Sequence, residues 1–240
     1  MDQRIFTLNN NYCIIHYPER PNGFGVLVIG GKEQYVNKNE TNWTTNYHRK
    51  KMLRFLMDEG YTVFYTNFNQ EHMGNDETVE RIHNLYEYVI RTEIINEKIH
   101  VIAEGTGAII ALDMLANKQN RLRSIVYINP VFSLEWLTDL VKDQPFLYKR
   151  IITDMAEAYR IHEEQCEEII KTKGTNIDHK QIPFVILHIL EHGIRDTKWV
   201  QLYKTYFKNM KDHIYVLLPE QRLRTVHYVK DLLKKAEQVL

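Results

Sequence analysis

The feature that most constrains this chain is an alternation. From about residue 23 onward, short β-type apolar runs take turns with longer segments of helical period. "GFGVLVIGG", "YTVFYTNF", "KIHVIA", "RSIVYINP", "IPFVILHIL" and "DHIYVLLP" read as strands, and the first is apolar throughout, as expected of a strand covered on both faces. Between them, Leu53, Leu56 and Met57 fall on one side of a helix capped by Thr41 or Asn42 and running to Glu59. Val79, Ile82, Tyr86, Val89 and Ile90 mark a second helix, Ala108, Ala111, Leu112 and Leu115 a third, and residues 197–209 a fourth. A final helix carries Val226, Val229, Leu233, Ala236 and Leu240 along one face. Such an order implies parallel strands joined by right-handed crossovers, with helices on both sides of the sheet. Ahead of it, "RIFTL" and "YCIIHY", separated by "NNN", read as an antiparallel hairpin.

One segment departs from the alternation. Residues 131–180 are nearly all helical in pattern yet lie between two strands, too long for a simple crossover, and read as an inserted helical cap. Within it "AEAYRIHEEQCEEIIKTKG" has the composition of one charged surface helix with a glycine stop. No repeat or linker divides the chain, so residues 1–240 are expected to form a single domain.

Composition excludes several classes. Lys+Arg 31 balances Asp+Glu 31, leaving no global field to attract nucleic acid or an anionic membrane. No apolar run approaches the roughly 18 residues that a span requires, and the start, "MDQRIFTLNNNYC", has no secretion-signal pattern. Cys13 and Cys166 have neither CxxC spacing nor a disulfide framework. The expectation is a cytoplasmic protein with free thiols and without membrane or nucleic-acid partners. His162 and Cys166 lie one helical turn apart without further ligands, so no metal and no cofactor are expected.

The chemistry centres on "KIHVIAEGTGAIIALDML", residues 98–115. A strand, a glycine-rich turn and a helix follow one another there, at the carboxyl end of a strand where open α/β sheets bind ligands. Nucleophile elbows, G-x-S-x-G, need small residues two before and two after the apex, because strand and helix approach closely. Ala103 and Gly107 satisfy this around Gly105. Read as a dinucleotide loop instead, the turn has Gly105 and Gly107 but Ile110 in place of the third glycine, a weak match.

On these residues the chain resembles the α/β-hydrolase superfamily over nearly its whole length. The opening hairpin, the Gly30-Gly31 pair, the elbow, the cap and a late histidine occur in that family's order. The resemblance implies an α/β fold with a mostly parallel central sheet flanked by helices, an N-terminal hairpin and a helical cap. It implies oxyanion donors from the amides of Lys32 and Thr106, with Gly31 and Glu104 beside the pocket. It implies His227, in "RTVHYVKDLL", as general base, paired with Asp196 or alternatively Glu191.

The nucleophile is where the resemblance breaks. Glycine has no atom that can attack a carbonyl, so acyl-enzyme chemistry has no route through Gly105. Thr106 is β-branched and resists the backbone angle an elbow apex demands. Ser124 and Ser133 are the only serines in the chain, and neither sits on an elbow. His188 and His192 read as structural histidines, and Glu104 as half of an ion pair. Trp136, Phe146, Tyr148 and Tyr159 read as packing of the cap onto the sheet. Three roles stay open: a catalytically silent protein whose capped pocket binds a small ligand or a protein partner, an active esterase-like enzyme using His227 and an unrecognised nucleophile or noncovalent acid-base chemistry, and a purely structural role.

Overall fold

A computed structural model describes residues 2–31, 34–68, 72–174, 182–191, 194–207 and 213–238. β1 (Asp2–Leu8) and β2 (Asn11–Tyr17) form the expected hairpin, closed by Asn9 and Asn10 in left-handed conformations. Then follow β3 (Gly25–Ile29), α1 (Asn42–Thr45), α2 (Tyr47–Asp58), β4 (Thr62–Thr66), α3 (Asp76–Thr92), β5 (Ile99–Glu104), α4 (Gly107–Asn117) and β6 (Leu122–Ile128). The next three helices, α5 (Leu134–Val141), α6 (Pro145–Tyr159) and α7 (Cys166–Thr172), precede β7 (Phe184–Ile189). The chain closes with α8 (Ile194–Tyr206), β8 (Ile214–Leu217), a 3-10 turn (Pro219–Arg224) and α9 (Thr225–Glu237).

The eight strands make one sheet in the order β1-β2-β4-β3-β5-β6-β7-β8. Only β1–β2 and β2–β4 pair antiparallel; every later pairing is parallel. Residues alternate between two apolar layers along each strand, as a two-sided sheet requires. Leu27, Ile29, Val101, Ala103 and Tyr127 pack toward α3, α4 and α8. Val26, Val28, Ile102, Val126 and Leu187 pack toward α2 and α9.

Two helices expected as continuous are broken. Thr41 caps only the four-residue α1, after which Asn46 is extended and its side chain accepts from the amides of His48 and Arg49, starting α2 afresh. An asparagine whose side chain captures the amides ahead of it competes with continuation of the helix. The charged segment from Ala156 onward likewise breaks where Arg160 turns left-handed at φ 55, leaving α6 and α7 as separate helices. With α5 these helices enclose an apolar cluster that includes Leu134, Ile151, Met155 and Cys166 and reaches Ile109 of α4. Asn75 donates to Ala158 O (2.6 Å) and Tyr159 to Met73 O (3.1 Å), fastening α6 to the segment before α3. Cys13 and Cys166 are free thiols, both buried.

Two histidines inside this fold stay neutral. Burial lowers His16 to about 4 and His100 to about 3; His16 hydrogen-bonds the Tyr65 hydroxyl (2.9 Å) and His100 the Ser124 hydroxyl (2.8 Å), with Glu237 Oε1 3.8 Å from His100 Nε2. Both folded values lie below the ordinary 6.5, so below that pH the unfolded chain takes up protons that the folded chain refuses. Stability is therefore complete above pH 6.5 and falls as pH drops, by about 1.4 kcal/mol per pH unit for each such histidine. Urea unfolding between pH 6.5 and 5 should show this slope. His16→Phe should reduce it by about one proton, because the Tyr65 hydroxyl keeps its bond to Thr41 (2.7 Å); an unchanged slope would exclude His16 as a source.

Candidate functional site

At the carboxyl end of β5 the chain turns through Gly105, whose φ of +58° lies in the left-handed region, and Thr106 then enters α4 with ordinary helical angles. The apex is held by its own backbone: the Gly105 amide donates to Ile128 O (3.1 Å), and Gly105 O accepts from Ala108 N (3.1 Å) and Val131 N (2.9 Å). A Cβ added at Gly105 would meet nothing within 4 Å. The apex therefore has room for a side chain and carries none. Gly107 is the opposite case, since a Cβ there would come within 2.2 Å of Ile29 O. Helix α4 starts against the last residues of β3, which is the close approach that the glycine spacing implies.

Gly105 opens onto a cavity of about 560 Å³. Its floor is Glu104, Gly105 and Thr106 with Gly31 beside them, and Asn129 and Val131 continue it from the end of β6. Leu137 of α5 and Leu147 and Ile151 of α6 form an apolar wall, joined by Met73. Asn46, Arg49, Glu191 and Arg222 complete the polar side, while Arg150 and Asp154 stand on α6.

Two ion pairs share the cavity with the apex. Arg49 grips Glu104 through two bonds, Nε to Oε2 at 3.1 Å and Nη2 to Oε1 at 2.9 Å, with side-chain exposures of 14% and 19%. The second start of the helix at Asn46 sets this up, because it places Arg49 in the first turn of α2. Arg222, from the 3-10 turn after β8, donates Nη1 to Glu191 Oε1 at 2.6 Å. Glu191 follows β7 and Arg222 follows β8, the two places from which the resemblance draws acid and base.

The sequence-derived site residues divide accordingly. Gly31, Glu104, Gly105, Thr106 and Glu191 line one cavity. Asp196 does not: it lies buried in the first turn of α8, paired with His188 Nε2 at 3.1 Å. His188 is covered in turn by Tyr203, whose hydroxyl donates to Pro130 O (2.8 Å). His227 is exposed on α9 and absent from the cavity lining, and it makes no hydrogen bond or ion pair among the described residues. The expected pairing of His227 with Asp196 is therefore not formed. The reason is geometric: Thr225, Val229, Leu233 and Ala236 are the buried side of α9, and position 227 is about 200° around the helix from both 225 and 229. Lys32 and His192 lie outside the described residues.

Sequence reasoning passed over Arg49, Arg150, Arg222 and Asp154, all of which line the cavity. It passed over His72 as well. His72 Nδ1 accepts the Gly74 amide (3.0 Å), so its proton resides on Nε2, which donates to Gly30 O (2.9 Å) and fixes the segment after β3. Arg222 was within reach of sequence reasoning, since it too follows the last strand, five residues ahead of the histidine.

This architecture is the α/β-hydrolase fold, and several of the solved structures that share it are described as esterases or esterase/lipases. An esterase/lipase from an uncultured bacterium superposes with a TM-score of 0.64 at 11% identity, covering 98% of this chain and 85% of that one. Est1E from Butyrivibrio proteoclasticus gives 0.62 at 10%, covering 98% and 99%, and the Pyrococcus furiosus esterase PF2001 gives 0.59 at 14%, covering 96% and 89%. Likeness at this level of identity concerns the fold. No protein-family model matches the sequence, and no curated protein matches it. No helix among the described residues is long and apolar enough to cross a membrane.

Proposed function

We propose that this chain is a catalytically silent α/β-hydrolase-like protein that binds a small ligand noncovalently in the cavity beside Gly105, beneath a helical cap whose described part is α5–α7. The observation that carries this reading is the bare apex. Gly105 adopts the left-handed backbone of an elbow with open space in front of it, yet has no atom to form an acyl-enzyme. The polar groups around it support the same reading. Where a hydrolase needs a histidine held by an acid, Glu191 is neutralised by Arg222, and a guanidinium cannot act as a general base at neutral pH. The Thr106 amide, at the start of α4 and beside Gly31, stands where the resemblance puts an oxyanion donor; here it serves to orient a ligand oxygen.

The second reading, an active esterase-like enzyme, draws on the names of the fold's solved relatives and on the Thr106 hydroxyl, which lines the cavity. In that reading Thr106 attacks and His227 with an acid activates it. The two separate cleanly. The silent protein leaves short p-nitrophenyl esters unhydrolysed above buffer and gives no fluorophosphonate adduct by intact-mass spectrometry. An adduct on Thr106, lost in Thr106→Val together with ester turnover that His227→Ala also abolishes, would establish the enzyme instead.

A further inference from the structure

The cavity has a property separate from its missing nucleophile: oppositely charged groups line it in pairs. Among the described lining residues, Arg49, Arg150 and Arg222 stand with Glu104, Asp154 and Glu191. Arg49 pairs with Glu104, the residue before Gly105, and Arg222 pairs with Glu191, while Arg150 Nε lies 4.0 Å from Asp154 Oδ2. Facing them is the apolar wall of Val131, Leu137, Leu147 and Ile151. From these positions we infer that the cavity takes a small zwitterion with an apolar side chain, for which an apolar α-amino acid is the simplest chemistry. The inference rests on the noncovalent reading above and names the ligand class of that same site.

The argument is one of replacement. A lone carboxylate entering the cavity must draw a guanidinium away from its glutamate and leave that glutamate uncompensated in a partly buried place, which opposes binding. A lone ammonium meets the reverse difficulty. A zwitterion presents both signs at once. Its carboxylate takes the fork geometry of an arginine, and its ammonium takes the carboxylate so released, so neither member of that pair is stranded. The wall of α5 and α6 covers the side chain, removing apolar surface from water. Neutral ligands gain the wall but not the ions; charged ligands with one sign gain one ion and strand another.

Four probes isolate the head group and the tail. Calorimetric titration of the intact protein with L-phenylalanine, 3-phenylpropionate, 2-phenylethylamine and glycine compares a zwitterion, its two single-charge counterparts with a similar aromatic tail, and a zwitterion without the tail. Phenylalanine should bind at least about tenfold more tightly than either single-charge counterpart, with glycine weaker than all three. The double variant Glu191→Gln, Arg222→Met removes one partly exposed pair at little cost to folding, checked by circular dichroism, and should weaken phenylalanine by about tenfold. Equal or tighter binding of 3-phenylpropionate or 2-phenylethylamine would overturn the zwitterion class while leaving a noncovalent binding cavity in place. Phenylalanine affinity unmoved by the double variant, or binding of none of the four probes, would also overturn it. Failure of the silent-protein reading would appear separately, as the fluorophosphonate adduct on Thr106.

Discussion

Gly105→Ser alone should leave the protein without ester turnover, whereas Gly105→Ser combined with Arg222→His should create it, by about 100-fold or more over the single variant. The cavity has space for the new side chain, since a Cβ at position 105 meets nothing within 4 Å. A hydroxyl without a base remains a weak nucleophile, and a positioned histidine contributes about 10²–10⁴-fold to such a step. Position 222 is the place for it because Arg222 already lines the cavity and rests on Glu191, 2.6 Å away. Members of a catalytic set act as a unit, so neither change is expected to register alone. Serine at φ +58° costs about 1–2 kcal/mol against glycine, so the melting temperature should fall by about 2–8 °C while the fold persists. Hydrolysis of p-nitrophenyl acetate reads the outcome. Turnover in Gly105→Ser alone that His227→Ala removes would transfer the base role back to His227 and refute the assignment of position 222.

That experiment also marks where sequence reasoning reaches and where it stops. The elbow was legible because its constraint is local: Ala103, Gly105 and Gly107 are two residues apart, and each is small for a reason that the turn itself supplies. The sheet was legible through the same kind of local signal, apolar runs bounded by turn residues, and the strands from "GFGVLVIGG" to "DHIYVLLP" all formed. The acid and base were not settled this way. Asp196 and Glu191 are five residues apart, and only tertiary packing sends Asp196 inward to His188 and leaves Glu191 at the cavity. After β8 the chain spends six residues on a 3-10 turn. That turn, unmarked by any strong signal, decides that residue 222 and not 227 returns to the cavity. His227 was a case where the pattern held the answer: the helix face of Val229, Leu233 and Ala236 already placed residue 227 on the opposite side. That Glu104 belongs to an ion pair was read from the sequence and is seen, but its partner was beyond reach, since Arg49 meets Glu104 across 55 positions from a helix that Asn46 restarts where one continuous helix was expected.

Gly107→Ala should be unusually damaging for a single added methyl. Its Cβ would lie 2.2 Å from Ile29 O, 2.8 Å from Ile29 C and 3.0 Å from Gly30 O. All three are backbone atoms, so no side chain can rotate away. Relief requires moving the end of β3 from the start of α4, and both are held. Ile29 is in register with Ala103 of β5, and Gly30 O accepts from His72. Overpacking into a core with mobile side chains costs about 1–3 kcal/mol; against fixed backbone the loss should exceed about 3 kcal/mol, lowering the melting temperature by more than about 6 °C. Gly105→Ala supplies the control, with the same added methyl two residues away but open space around it, at a cost of about 1–2 kcal/mol from its backbone angle alone. Urea unfolding of the two variants separates crowding from conformation. Equal destabilisation would mean that β3 and α4 do not approach as closely as described. The contact matters beyond stability, because the same approach brings Gly31 beside Thr106, where a Cβ on Gly31 would stand 3.3 Å from the Thr106 hydroxyl. The floor of the cavity is thus set by a glycine absent from its lining, and any side chain at 107 would separate the two halves of the site before it altered a single group within it.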